Sequence, residues 1–94
     1  MDMKKKHLDP KQGRLSDLSK MNLVVGAKQL KKALLGGRAA CVFLAENADP
    51  AVTEPIEAMC QNSGVTIHWV SSMTDLGRAC GIEVGAAAAA VLNP

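Results

Sequence analysis

The stretch of this chain with the most chemistry in it is Gly26-Ala27-Lys28-Gln29-Leu30-Lys31-Lys32. Lys28 and Lys32 are four residues apart and share a helix face, with Gln29 one residue round from Lys28 and Lys31 flanking on the other side. The solvent face then carries three ammonium groups and one amide. A predicted strand ends just before Gly26, so this segment opens a helix. Its N-terminus adds backbone N–H groups without intrahelical acceptors and the positive end of the helix dipole. Such a surface suits a phosphate backbone, and the amide can meet a base edge with paired hydrogen bonds. The same spacing also describes an ordinary amphipathic helix with a solvated, lysine-rich face. A phosphate-cradling glycine loop does not fit, because those fingerprints need further glycines at fixed spacing.

A second segment, Gly81-Ile82-Glu83-Val84-Gly85, sets two apolar residues between glycines in a predicted loop. Glycine allows tight or left-handed backbone and close approach to a ligand. Exposed, Ile82 and Val84 would offer an apolar contact; buried, they would anchor the loop. Catalytic groupings are poorly supplied. His7 lies in a polar N-terminal stretch, and His68 sits in a predicted strand beside Trp69, where a structural role fits better than a general base. Cys41, Cys60 and Cys80 fall in predicted core or helix positions, where thiols are ordinarily inert. Glu46, Asp49, Glu54 and Glu57 form an acidic neighbourhood read as solvated charge and helix capping. No catalytic residue, metal ligand or cofactor is expected.

The elements that must position these residues come from one domain of 94 residues, 48% apolar. The longest apolar runs, 39–45 and 86–92, have seven residues each and are too short to cross a bilayer. An odd cysteine count, with no pair at metal-ligand spacing and no secretory signal read, suggests a reducing cytoplasm. Two aromatic residues, Phe43 and Trp69, are too few for a stacking platform for single-stranded nucleic acid. The net charge of +2 is uneven: residues 1–14 carry five basic and two acidic groups, residues 15–94 six basic and seven acidic. Any anion-binding surface on the body is therefore local. Residues 1–13 read as a flexible basic tail and 14–94 as the domain.

A short helix is expected over 15–20, then a strand over 22–25. Leu30, Ala33 and Leu34 stripe a helix over 27–35 that ends at Gly36-Gly37. Residues 40–45 read as a central strand with both faces apolar. Asp49 can cap the next helix with Pro50 at its first position. Pro55 implies either a helix start at Thr53 or a bend. A strand over 65–70 follows, then a short helix with Ser72 and Asp75 as a capping box and Gly81 as its stop. Gly77 inside that helix costs about 1 kcal/mol relative to alanine, which close packing would explain. Residues 86–92 are divided: five alanines favour helix, while seven apolar residues suit a buried strand. The alternation of helices and strands predicts an α/β arrangement, one sheet between helices, with function in the loops past the strand ends.

Three blocks carry a further signal: Val25-Gly26-Ala27-Lys28-Gln29-Leu30-Lys31-Lys32-Ala33-Leu34, Phe43-Leu44-Ala45-Glu46-Asn47-Ala48-Asp49-Pro50 and Leu76-Gly77-Arg78-Ala79-Cys80-Gly81-Ile82-Glu83-Val84. In this order, over residues 15–92, the chain resembles the L-seven-Ae / L-thirty-e ribosomal protein family. It is similar above all to the small bacterial members described as kink-turn RNA-binding, ribosomal-protein-like proteins. The resemblance implies a three-layer α-β-α sandwich around a mixed four-stranded sheet, so that 86–92 is a strand. It also implies binding, without chemistry, to the kink-turn, a sharply bent RNA helix with tandem sheared G·A pairs beside a three-nucleotide bulge.

In archaeal relatives the corresponding helix begins Gly-Thr-Asn-Glu, with a lysine three residues after the glutamate. Lys28 stands at the asparagine position, Gln29 at the glutamate and Lys32 at the lysine. The resemblance thus implies that Gln29 meets the guanines of the G·A pairs, Lys28 a guanine edge or phosphate, and Lys32 the backbone. It further implies that Ile82, Glu83 and Val84 pack on the bulge, and that Gly85 stands where archaeal relatives often have proline. The expected RNA-binding set is Gly26, Ala27, Lys28, Gln29, Lys31, Lys32, Ile82, Glu83, Val84 and Gly85. Met73 stands where several relatives have lysine, so one phosphate contact is expected to be missing. The implied protein is a cytoplasmic monomer whose partner is structured RNA, in the ribosome or free of it. Two other readings stay open: a structural large-subunit ribosomal protein on a different RNA, and a protein–protein adaptor on the same fold.

Overall fold

β1 (Leu23–Val25) turns into α1 (Ala27–Leu35) through a single residue, Gly26, whose φ of 104° lies where side chains with a Cβ are strained. A computed structural model describes Leu18 and residues 21–93. The tail assigned to 1–13, His7, and all of the helix expected over 15–20 except Leu18 lie outside the described residues. Beyond α1 come β2 (Ala39–Ala45), α2 (Pro50–Ser63), β3 (Thr66–Val70), α3 (Met73–Cys80) and β4 (Ala88–Leu92).

The strands form one mixed sheet in the order β1-β4-β2-β3. β2 and β3 run parallel, while β4 is antiparallel to both β1 and β2. Alternation along β2 and β4 feeds two cores. Val42, Leu44, Ala88 and Ala90 pack under α1 and α2 with Leu30, Leu34, Ile56 and Cys60. Phe43, Ala45 and Ala89 pack under α3 with Leu18, Leu76, Ala79 and Cys80. The architecture is the three-layer α-β-α sandwich around a mixed four-stranded sheet.

Of the two readings left open for the alanine run, the strand forms, over 88–92 rather than from 86. Ala88, Ala89 and Ala90 have no exposed surface. A central strand covered on both faces satisfies its backbone in two ladders, and small side chains let helices approach from either side. That burial outweighs alanine's intrinsic helix preference. The other strands shift by a residue at one end: β1 begins at Leu23, β2 at Ala39 and β3 at Thr66.

The helix signals act as read, with one alternative removed. The Asp49 carboxylate accepts the Ala51 N–H at 2.9 Å and Pro50 starts α2. Pro55 therefore lies inside the helix, not in a first turn begun at Thr53. The Ser72 hydroxyl accepts the Asp75 N–H at 3.0 Å. The reciprocal half of the box does not form as drawn: Asp75 accepts instead from the Ser71 hydroxyl at 2.8 Å.

Candidate nucleic-acid interface

Strand direction gathers four connections at one end of the sheet. The carboxyl ends of β1, β2 and β3 and the amino end of β4 all lie there. The Gly26 N–H donates to the Ala88 carbonyl at 2.9 Å, so the start of α1 adjoins the start of β4. The Ala45 N–H donates to the Ala87 carbonyl at 3.0 Å and the Glu46 N–H to the Val70 carbonyl at 2.7 Å. The β1–α1 junction, the α3–β4 loop, and the turns after β2 and β3 thus share this end.

At the start of α1, Lys28, Gln29 and Lys32 are exposed, while Leu30, Ala33 and Leu34 are buried. Lys31 is half-buried, so the open face carries two lysines and the amide, with the third lysine set to its side. The helix phase explains this, since Lys31 lies next to the buried Leu30 and Leu34 positions. Gly26 supplies no side-chain cap, and no carboxylate stands in the first turn. The positive end of this helix is therefore uncompensated within it, in contrast to α3, which has Asp75 in its first turn. Nothing lies within 4 Å of where a Gly26 Cβ would stand, and Ala27 is half-buried. Open space over a residue without a side chain, at the start of a helix that exposes Lys28 and Lys32, is a geometry that admits a phosphate group closely.

The α3–β4 loop divides its two apolar residues between the roles left open for them. Ile82 is half-buried against the core under α3, whereas Val84 is 71% exposed. Glu83 and Gly85 are exposed. α3 holds the loop along its length: the Ile82 N–H donates to the Gly77 carbonyl at 3.1 Å and the Ala86 N–H to the Met73 carbonyl at 2.9 Å. The packing inferred from a mid-helix glycine is present at Gly77, where a Cβ would fall on the Val84 carbonyl oxygen.

One tie at this end has no counterpart in the sequence reading. The Asn47 side chain accepts the Met73 N–H at 2.8 Å, linking the turn after β2 to the first residue of α3. Asn47 reads as a turn residue; nothing in local spacing signals a partner 26 positions away. Met73, half-buried at this junction, serves the loop through its backbone.

The remaining titratable candidates hold structural positions. His68 is half-buried in β3, its ring 5.1 Å from that of Phe43. Burial pushes the Cys41, Cys60 and Cys80 thiols above their ordinary value. Cys60 and Cys80 are buried and Cys41, expected in the core, is half-buried. Among the described residues no group of three or more His, Cys, Asp or Glu is placed to hold a metal ion, and no helix is long and apolar enough to cross a membrane.

Known proteins are similar to this chain in sequence and in shape. An RNA-binding protein of Caldanaerobacter subterraneus subsp. tengcongensis is 46% identical over 67 residues, covering 71% of this chain and 82% of that protein. An RNA-binding protein of Bacillus pumilus is 45% identical over 71 residues, covering 76% and 87%. The solved structure of the Giardia lamblia 15.5kD RNA binding protein superposes with a TM-score of 0.80 at 25% identity, covering 95% of this chain and 77% of that one. The family model described as Ribosomal protein L7Ae/L30e/S12e/Gadd45 family matches residues 12–94. With the sandwich, the sheet order and these relatives together, the chain belongs to the ribosomal protein L7Ae/L30e/S12e/Gadd45 family.

Proposed function

We propose that this protein binds structured RNA, and within it the kink-turn, holding the bent form without catalysing a reaction. The observation that carries the reading is the pairing, at one end of the sheet, of the uncapped α1 start bearing exposed Lys28, Gln29 and Lys32 with a loop that exposes Val84. The names of the relatives, RNA-binding proteins at about 45% identity, support the RNA half of it.

In this reading the exposed lysines and the bare N–H groups of the first α1 turn hold the phosphates of the bent strand. Lys31 contributes from the side. The Gln29 amide offers a donor and an acceptor to the guanine edges of the sheared pairs. Ala27 and Gly26 let the backbone come close. Val84 gives an unstacked base an apolar seat, with Ile82 anchoring the loop and Glu83 and Gly85 presenting backbone. Bending RNA costs free energy, and contacts available only in the bent form offset it. The protein acts as a monomer in the cytoplasm, on ribosomal or other structured RNA.

The test is direct binding of the full chain to a kink-turn and to a duplex of the same length lacking the bulge and G·A pairs. The kink-turn should bind at least tenfold tighter, with affinity falling as salt rises. Equal affinity for both RNAs would favour a phosphate-only contact, as for a ribosomal protein on a different RNA. Absence of binding to either would favour a protein–protein adaptor.

A further inference from the structure

The α3–β4 loop lies against α3 in a way that depends on one missing side chain. Gly77 is buried in the middle of α3. A Cβ there would fall on the Val84 carbonyl oxygen and lie 3.1 Å from both the Val84 carbonyl carbon and the Gly85 Cα. All three are backbone atoms, so no change of rotamer relieves the clash. One turn earlier, a Cβ on Gly85 would stand 3.2 Å from the Met73 Cβ. Two hydrogen bonds frame this close approach, from the Ile82 N–H to the Gly77 carbonyl and from the Ala86 N–H to the Met73 carbonyl. Within that frame Glu83 and Val84 face solvent.

We propose that Gly77 is a positioning residue for RNA binding: its empty side-chain position seats the Val84–Gly85 peptide, so that the loop holds its binding shape before any RNA arrives. The binding half rests on the RNA reading above; the seating half does not. A loop already ordered loses less conformational freedom on binding than one that folds around its ligand. Gly77 touches no RNA in this scheme and acts only through the residues it seats.

Two measurements test it. In the free full-length chain, the Ile82 and Ala86 amides should exchange with solvent at least 100-fold more slowly than in an unstructured peptide; exchange near the peptide rate overturns the proposal. In Gly77→Ala, binding to a kink-turn should weaken at least tenfold. That loss should shrink in a Val84→Ala background and persist in full in a Lys32→Ala background. A loss of the same size in both backgrounds means a general structural defect and overturns the positioning role. Where Gly77→Ala does not fold, the exchange rates of the unaltered chain decide. Protected amides in a chain that binds no RNA support the seating and overturn the RNA reading, so the two failures are distinct.

Discussion

Lys32 and Gln29 share the open face of α1 but do different work in the proposed interface, and their substitutions should separate. In the proposed interface Lys32→Ala removes a phosphate contact. It should weaken binding severalfold to any RNA the protein holds and reduce the slope of log affinity against log salt by about 1, with the melting temperature unchanged because Lys32 is exposed. Gln29→Ala should instead lose discrimination, about 1–3 kcal/mol of preference for G·A pairs over their replacements, read by comparing the two RNAs at fixed salt. The thiols give a third test. Burial raises each thiol's pKa, so less thiolate is present at neutral pH than in the unfolded chain. Alkylation of the folded protein at pH 7 should be slow at all three cysteines and should accelerate on unfolding in urea; rapid modification of a folded thiol would mark it as reactive. The shared exposure of Lys28, Gln29 and Lys32 was legible in the sequence from helical spacing, whereas Lys31, expected on the same open face, is half-buried. The division between Ile82 and Val84 was not visible, since two apolar residues in a loop carry no period from which burial can be read.

Elements with local stop and start signals could be read from the sequence, and the α1 bounds predicted from Leu30, Ala33, Leu34 and the two glycines are those observed. Asp49 caps α2 and is not among the residues proposed to touch RNA. Asp49→Ala should cost about 0.5–2 kcal/mol, measured as a shift of the urea midpoint at unchanged slope, while RNA affinity of the folded protein stays within twofold. Asn47→Ala removes the acceptor of the Met73 N–H, which then meets only water at this exposed site. A modest stability loss of about 1 kcal/mol is expected, with RNA binding weakened as the α3 start and the loop behind it loosen; unaltered binding would show that the tie is dispensable. β4 marks where local reading ends. The alanines it takes from the 86–90 run are buried by α1 and α2 on one face and α3 on the other and paired with β1 and β2. Most of these elements are distant in sequence, and intrinsic propensity alone points the other way. Asn47 fails the same way: a turn residue's long-range hydrogen bond leaves no mark in its neighbours.

At the scale of the molecule, the sheet order is what gives the interface its shape. The β1–α1 junction and the α3–β4 loop are more than fifty positions apart in the chain, and antiparallel pairing of Val25 with Ala89 brings their origins to one end of the sheet. An α/β layer arrangement was legible from alternating strands and helices, but the insertion of the last strand between the first and second was not derivable from periodicity. Family resemblance implied a mixed four-stranded sheet with the last segment as a strand; the order β1-β4-β2-β3 is seen only in the structure. The central claim is that this end of the molecule stabilises a bend. Its most direct measurement is energy transfer between dyes on the two arms of a kink-turn RNA, in buffer without divalent cations, as the protein is added. Transfer should rise to a plateau at one protein per RNA, and a straight duplex with the same dyes should show no change. Saturable binding with transfer unchanged on the kink-turn would contradict the account.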